Sequence, residues 1–236
     1  MQLLINPGLE LNTARTVFKK RGRLLISNFL QAPGAQSLEQ SLASNIPFNV
    51  TMNKNDESVA TFSEKDLTSA GEDFRRRLMG AVYASSANGF RYFYSQFEFD
   101  KYLKDDSDVG FFSQETWQFL NGAAFLKTIG KIIGHSDLNR TSAQASCYAP
   151  GHFLTTHDDN VENSGRRAAF VLYLSSQWHS DWGGLLHFID RDGHVAEAYT
   201  PTFNALALFR VPTRHAVSMV TPLALNPRYA ISGWVH

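Results

Sequence analysis

From residue 141 onward the sequence breaks into short apolar runs, and this texture limits the fold more than any other feature. QASCYA, AAFVLYL, LLHFI, ALALFRV, AVSMV and RYAISGWV follow one another, separated by Gly, Pro, Asn and Asp. Short runs of this kind, punctuated by turn formers and with little helix between them, point to a β-sandwich or a barrel-like jelly roll. Residues 1–140 read instead as mixed α and β. The expected architecture is mainly β with N-terminal helices (α+β): residues 1–140 form a helical and mixed part that buttresses a β core over residues 141–236. A length of 236 residues suits one domain, and no repeat, low-complexity tract or linker calls for a second.

Within the first half, residues 10–20 read as a helix and GRLLISNFL (22–30) contains a short strand. The polar stretch 51–66 reads as a loop. Ser69 and Glu72 have the spacing of a capping box, followed by Phe74, Leu78 and Val82 at helical intervals, with Asn88-Gly89 ending that helix. FRYFYSQFEF (90–99) reads as an aromatic-rich strand and 104–112 as an acidic loop. Ser113 is the expected N-cap of one long helix to about residue 133, with Phe119, Leu126, Ile129 and Ile133 on one face and Gly134 at its end.

Composition excludes several function classes. Lys+Arg and Asp+Glu are both 22, and the balance holds in each half, 13 against 14 in residues 1–118 and 9 against 8 in residues 119–236. Phosphate-neutralising nucleic-acid binders and proteins of anionic membrane surfaces show a basic excess, so neither partner is expected. With 43% hydrophobic residues a core is readily built. Cys147 is the single cysteine, which excludes a disulfide framework and a Cys-rich zinc module and fits a reducing compartment. No apolar run is long enough for a membrane helix, and the N-terminus lacks the pattern of a secretory signal, so the expected location is cytoplasmic.

The chemistry concentrates in the β half, which holds seven of the 8 histidines; the eighth is His135, and the first 134 residues have none. His157-Asp158-Asp159 places an imidazole and a carboxylate two residues apart. On an extended segment such side chains share a face and can converge on one ion. His215, in TRHAVSMV, is the candidate third ligand. Two histidines and a carboxylate leave open positions that suit non-haem Fe(II). Further on, Arg228, Ala230, Ser232 and Trp234 share one face of a strand by alternation. An inward arginine without a sequence-local acid needs an anion to neutralise it, and a bound dicarboxylate would serve.

The remaining residues of note have plainer readings. His135 is a cap or surface residue, His152, His179 and His194 lie in polar loop contexts, and His236 is terminal; His187 could turn toward the pocket. Asp158 has the wrong parity for a ligand, Cys147 is a small buried residue, and Arg75-Arg76-Arg77 is a solvated helix face. Phe90, Tyr92 and Tyr94 form an aromatic stripe that packs in the core or meets substrate.

CYAPGHFLTTHDD, RRAAFVLYLSSQW…GGLLHF, TRHAVSMV and NPRYAISGWVH together resemble the prolyl-hydroxylase branch of the Fe(II)/2-oxoglutarate dioxygenases over residues 141–236. They are most similar to the subgroup that hydroxylates a proline in a small-subunit ribosomal protein. The resemblance implies a double-stranded β-helix, a cupin-like jelly roll with helices on one sheet. It implies iron held by His157, Asp159 and His215. It also implies 2-oxoglutarate clamped by Arg228, with Tyr173 on the same carboxylate, Tyr148 nearby, and Leu186 and Trp234 as apolar walls. Arg166 matches a position linked to substrate contact, and Tyr92 or Tyr94 would reach substrate at the mouth. No catalytic residue beyond the metal site is implied. O2 is the second cosubstrate, ascorbate a stimulant, and a protein or peptide containing proline, such as a ribosomal protein, the partner, with C3 and C4 both open as targets. Eukaryotic members carry a second, degenerate β-helix after the catalytic one; here the expectation is a single catalytic domain. The same chemistry on a free amino acid or another small molecule is the alternative, a non-catalytic metal- and 2-oxoglutarate-binding sensor the third. A hydrolytic zinc site would leave Arg228 and Tyr173 without a role.

Overall fold

A computed structural model describes residues 2–53, 58–87, 89–102 and 110–236. In chain order its elements are α1 (Leu11–Arg21), β1 (Arg23–Ile26), α2 (Ala32–Ser44), β2 (Asn49–Asn53), β3 (Val59–Ser63), α3 (Glu64–Ala70), α4 (Glu72–Ser85), β4 (Tyr92–Glu98), α5 (Phe99–Tyr102), α6 (Gly110–Leu120) and α7 (Ala123–Ile133). Then follow β5 (Thr141–Tyr148), β6 (Phe153–His157), β7 (Ala168–Tyr173), a 3-10 turn at Ser180–Trp182, β8 (Leu186–Ile189), β9 (Val195–Tyr199), β10 (Ala205–Arg210), β11 (His215–Val217) and β12 (Arg228–Val235).

The strands pair in the order β1-β10-β7-β12-β5-β4-β6-β11-β8-β9, all antiparallel, with the β2/β3 hairpin attached to β4. The path divides at β4, whose Ser95–Glu98 stretch pairs with β5 while Tyr92 and Phe93 pair with β6. On one side lie β5, β12, β7 and β10; on the other lie β6, β11, β8 and β9. The C-terminal half thus winds between two four-stranded sheets, as a double-stranded β-helix does.

β7 and β10 read as nearly continuous apolar runs because both of their faces are covered. Phe170, Leu172, Leu206 and Leu208 face a core completed by Phe29, Phe125 and Ile129, while Tyr173, Ala207 and Phe209 face inward against Leu186 and Phe188. The outermost strands, β1 and β9, are tied together by Glu197, which accepts hydrogen bonds from Arg21 (2.7 Å) and Arg23 (2.6 Å). α7 is capped by Gly134 in the left-handed conformation.

Several expectations for the first half are corrected. Of residues 51–66, those described form two paired strands and the start of a helix; 54–57 lie outside the described residues. The two strands carry apolar residues at alternate positions (Val50 and Met52 opposite Phe62 and Ala60), and the intervening polar residues hid that period. The capping box sits at Ser63 and Asp66: the Ser63 hydroxyl accepts from the Asp66 N–H, and the Asp66 carboxylate accepts from the Ser63 N–H. Ser69 lies inside α3, and α4 starts after Gly71 (φ 81°) with no side-chain cap. α4 ends at Ser85, before Gly89; Asn88 lies outside the described residues. The long helix is two. Ser113 is inside α6, and the chain breaks at Asn121-Gly122, where the Asn121 side chain donates to the Trp117 carbonyl at 3.2 Å and accepts from the Thr141 N–H at 2.8 Å. Residues 104–109 of the acidic stretch lie outside the described residues, and 110–112 already belong to α6. Among the described residues no helix is long and apolar enough to cross a membrane.

Candidate active site

β6 ends at His157 where β11 begins at His215, and the register sets the two opposite each other, with ring centroids 4.1 Å apart. Asp159 joins them by a route strand alternation does not give. The strand stops at His157, and Asp159 takes a left-handed conformation (φ 62°) that turns its carboxylate back. Its two oxygens then lie 3.4 Å from His157 Nε2 and 3.4 Å from His215 Nε2. One nitrogen or oxygen from each of the three residues falls within 4.8 Å of the others.

The tautomers are fixed by the backbone. His157 Nδ1–H donates to the Thr155 carbonyl at 3.0 Å and His215 Nδ1–H to the Thr213 carbonyl at 2.7 Å, so both Nε2 lone pairs face the centre. Burial, reinforced by His157, pushes His215 down to about 4, which keeps that ring neutral at neutral pH. Burial raises the Asp159 carboxyl, but the two imidazoles beside it hold it below its ordinary value. Two imidazoles and one carboxylate could hold a divalent transition metal. Asp158 is not part of the group; its Oδ1 accepts from the Asn160 N–H at 3.0 Å.

Deeper in the cleft, Arg228 opens β12 and is 2% exposed. The register pairs it with Tyr148 and places Tyr173 beside Ala230; its guanidinium lies 4.9 Å from the Tyr148 ring and 5.2 Å from the Tyr173 ring. Arg228 Nε and the Tyr173 hydroxyl are buried with no hydrogen-bond partner among the described residues. Gly184, at φ 64°, makes room for the arginine: a Cβ there would stand 2.9 Å from Arg228 Cδ. Burial raises the Tyr148 phenol and takes Tyr173 up to about 12 against the pull of Arg228, so both hydroxyls remain donors. A buried cation flanked by phenol donors suits a carboxylate.

The cleft holds about 490 Å³ and is lined by His157, Asp159, His215, Arg228, Tyr148, Leu186, Trp234, Arg166, Tyr92 and Tyr94; Tyr94 is not at the mouth but buried, stacked on Tyr148 at 4.8 Å. Tyr173 does not line it and stands behind Arg228, fully buried. Arg166 stacks on Trp234 at 3.7 Å and donates to the Asp159 carbonyl at 3.1 Å. Sequence reasoning missed Gln96, Glu98, Gln144 and Phe209. The first two share a strand face with Tyr92 and Tyr94, and that alternation was the available signal. Phe209 lies 4.6 Å from the His215 ring.

Among the other histidines, His187 does not line the cleft, and its strand neighbours Leu186 and Phe188 take the inward positions. His236 contacts Ser142 and the Ser164 carbonyl. His152 departs from expectation. It is buried, edge-on to Phe93 at 4.9 Å, and its Nδ1 accepts from the Ala149 N–H. Burial lowers it from 6.5 to about 4. The unfolded chain therefore protonates this ring first on acidification. Its share of stability is intact above about pH 6.5, falls as the pH drops, and is gone near pH 4, about 3 kcal/mol in all. Urea unfolding between pH 7 and pH 4.5 should show this loss, and His152→Leu should flatten it; an unchanged slope would refute the assignment.

Residues 143–236 match the family model described as the 2OG-Fe(II) oxygenase superfamily. The chain is 39% identical over 90 residues to the mouse prolyl 3-hydroxylase OGFOD1, covering 35% of this chain and 16% of that protein. It is 34% identical over 112 residues to the Drosophila melanogaster prolyl 3-hydroxylase sudestada1, covering 42% and 20%. The chain thus spans about a fifth of the length of these relatives or less. Among solved structures, a Pseudomonas putida prolyl-4-hydroxylase superposes with a TM-score of 0.59 at 18% identity, over 96% of this chain and 98% of that one. A Trichoplax adhaerens prolyl hydroxylase, solved with a hypoxia inducible factor peptide fragment, gives 0.52 at 17%, over 95% and 88%. These likenesses are of fold.

Proposed function

We propose that this chain, whose residues 143–236 are a domain of the 2OG-Fe(II) oxygenase superfamily, is a dioxygenase that hydroxylates a prolyl residue of a protein or peptide. The observation that carries the reading is the conjunction in one cleft of the His157–Asp159–His215 donor set with the buried guanidinium of Arg228, whose Nε has no hydrogen-bond partner among the described residues. The donor set fits Fe(II), and Arg228 Nε with the phenols fits one end of a dicarboxylate.

His157, Asp159 and His215 would hold the iron, and Arg228 the distal carboxylate of 2-oxoglutarate, with Tyr148 and Tyr173 donating nearby. Iron and 2-oxoglutarate, when bound, supply the O2-dependent oxidation of an unactivated C–H bond. The protein's own part is to orient and to exclude water. The Thr155 and Thr213 carbonyls keep the imidazole lone pairs inward, Arg166 holds the Asp159 backbone, and Leu186 and Trp234 wall off solvent. No side chain is needed as a general base.

The printed names of the mouse and fly relatives favour C3 of proline as the target, and the likeness of NPRYAISGWVH to the ribosomal subgroup favours a small-subunit ribosomal protein in a cytoplasmic setting. The test is hydroxylation of such proteins and of proline peptides with Fe(II) and 2-oxoglutarate, read as succinate formed together with the mass gain of one oxygen atom. Turnover confined to a free amino acid would replace the protein substrate with a small molecule. 2-Oxoglutarate binding without any turnover would leave a sensor.

A further inference from the structure

The charged groups lining the cleft do not all have work in the proposed reaction. Asp159 belongs to the metal set, Arg228 to the anion, Arg166 to the Asp159 carbonyl, and Asp158 is engaged by the Asn160 N–H. Glu98 remains. It stands on the cleft face of β4, which reads Tyr92, Tyr94, Gln96, Glu98 at alternate positions, while Phe93 and Phe97 point to cores on the other side.

A chain of hydrogen bonds fixes this row. Gln144 Nε2 donates to the Tyr94 hydroxyl (3.0 Å), that hydroxyl to Gln96 Oε1 (3.1 Å), and Gln96 Nε2 to Glu98 Oε1 (2.8 Å). The carboxylate is thereby held in place by a neutral amide. No lysine or arginine among the described residues pairs with it. Its register neighbours across the sheet are Gln144 on β5, then Ser232 on β12 and Val171 on β7, all uncharged and all lining the cleft. A carboxylate oriented in the cleft wall, with no cation among its described neighbours, makes a site for a cationic side chain whose head meets the oxygen.

We propose that Glu98 is a specificity residue that reads a lysine or arginine of the substrate near the target proline. The assignment rests on the prolyl-hydroxylase reading and adds the chemistry of a flanking residue to it. A charge-assisted bond in a partly buried cleft corresponds to a preference on the order of tenfold or more.

The test uses the whole chain with Fe(II), 2-oxoglutarate and short proline peptides in which one lysine is moved through the flanking positions. Each peptide is matched by one with norleucine at that position. The expected result is one register at which lysine raises kcat/KM by about tenfold or more over norleucine. Glu98→Gln brings that ratio close to one, and Glu98→Arg turns the preference at the same register toward glutamate, a gain that misfolding does not produce. Hydroxylation of the peptides with the same ratio in wild type and both variants, or with no register preferred by wild type, overturns the Glu98 assignment alone. Failure of wild type to hydroxylate any proline peptide or protein overturns the prolyl-hydroxylase reading, and Glu98 with it.

Discussion

Arg228→Met raises the KM for 2-oxoglutarate by about thirtyfold or more while leaving the unloaded protein at least as resistant to heat. The two halves of this result have one cause. Arg228 is 2% exposed, and its Nε has no hydrogen-bond partner among the described residues, so the unloaded protein bears the desolvation of a guanidinium set beside two aromatic rings. Methionine fills much of the same volume without a charge, and replacing uncompensated buried charge by apolar groups is neutral or stabilising. For the anion the balance reverses. A carboxylate brought into that pocket without its cation loses about 2–5 kcal/mol, which is roughly 30- to several-thousand-fold in affinity. Succinate formation against 2-oxoglutarate concentration, alongside thermal melts without cosubstrate, checks both. A structural arginine would give the opposite pattern, with stability lost and the KM of surviving protein unchanged.

Asp159→Gly removes iron binding and lowers turnover by about a thousandfold or more, again without harming the unloaded fold. Altering only the hydrogen-bond partners of metal ligands costs ten- to a hundredfold, and loss of a ligand exceeds that. The residue sits at φ 62°, a conformation that penalises a side chain by about 1 kcal/mol and that glycine adopts freely. The substitution thus relieves the backbone while it deletes the carboxylate. Anaerobic titration with Co(II), followed by its absorption bands, measures the site directly. A variant that still binds the metal with wild-type affinity would exclude Asp159 as a ligand.

The chemistry-bearing residues were legible because their patterns are local. His157 and Asp159 are two apart, and Arg228 and Trp234 share a strand face by alternation. The strands β5, β7, β10 and β12 were legible for a related reason, since sheets covered on both faces need long apolar runs. What escaped was set by partners distant in sequence. FLTTH carries polar residues on β6 and was not read as a strand, although His157 ends it. The β2/β3 hairpin mixes polar and apolar residues because it flanks a cleft and a small core at once. The break between α6 and α7 depends on Asn121 being drawn to Thr141. Asp159 reaches His215 through a left-handed turn, not through the alternation that nominated it. His152 looks polar in sequence and is buried because Phe93, from the other half of the chain, covers it.

β4 has one more consequence. Among the described strands it alone pairs with members of both sheets, joining β5 on one side to β6 on the other. Residues 141–236 therefore contain every group proposed to hold iron and 2-oxoglutarate but not the seam that closes the barrel around them. Expressed alone, that segment would bare the edges of β5 and β6, and that of β10, which loses β1, and such edges recruit other chains. Chemistry and solubility are written in different halves of the sequence. A graft of the C-terminal segment onto another scaffold would succeed only if the host supplied a strand with the Tyr92–Glu98 geometry.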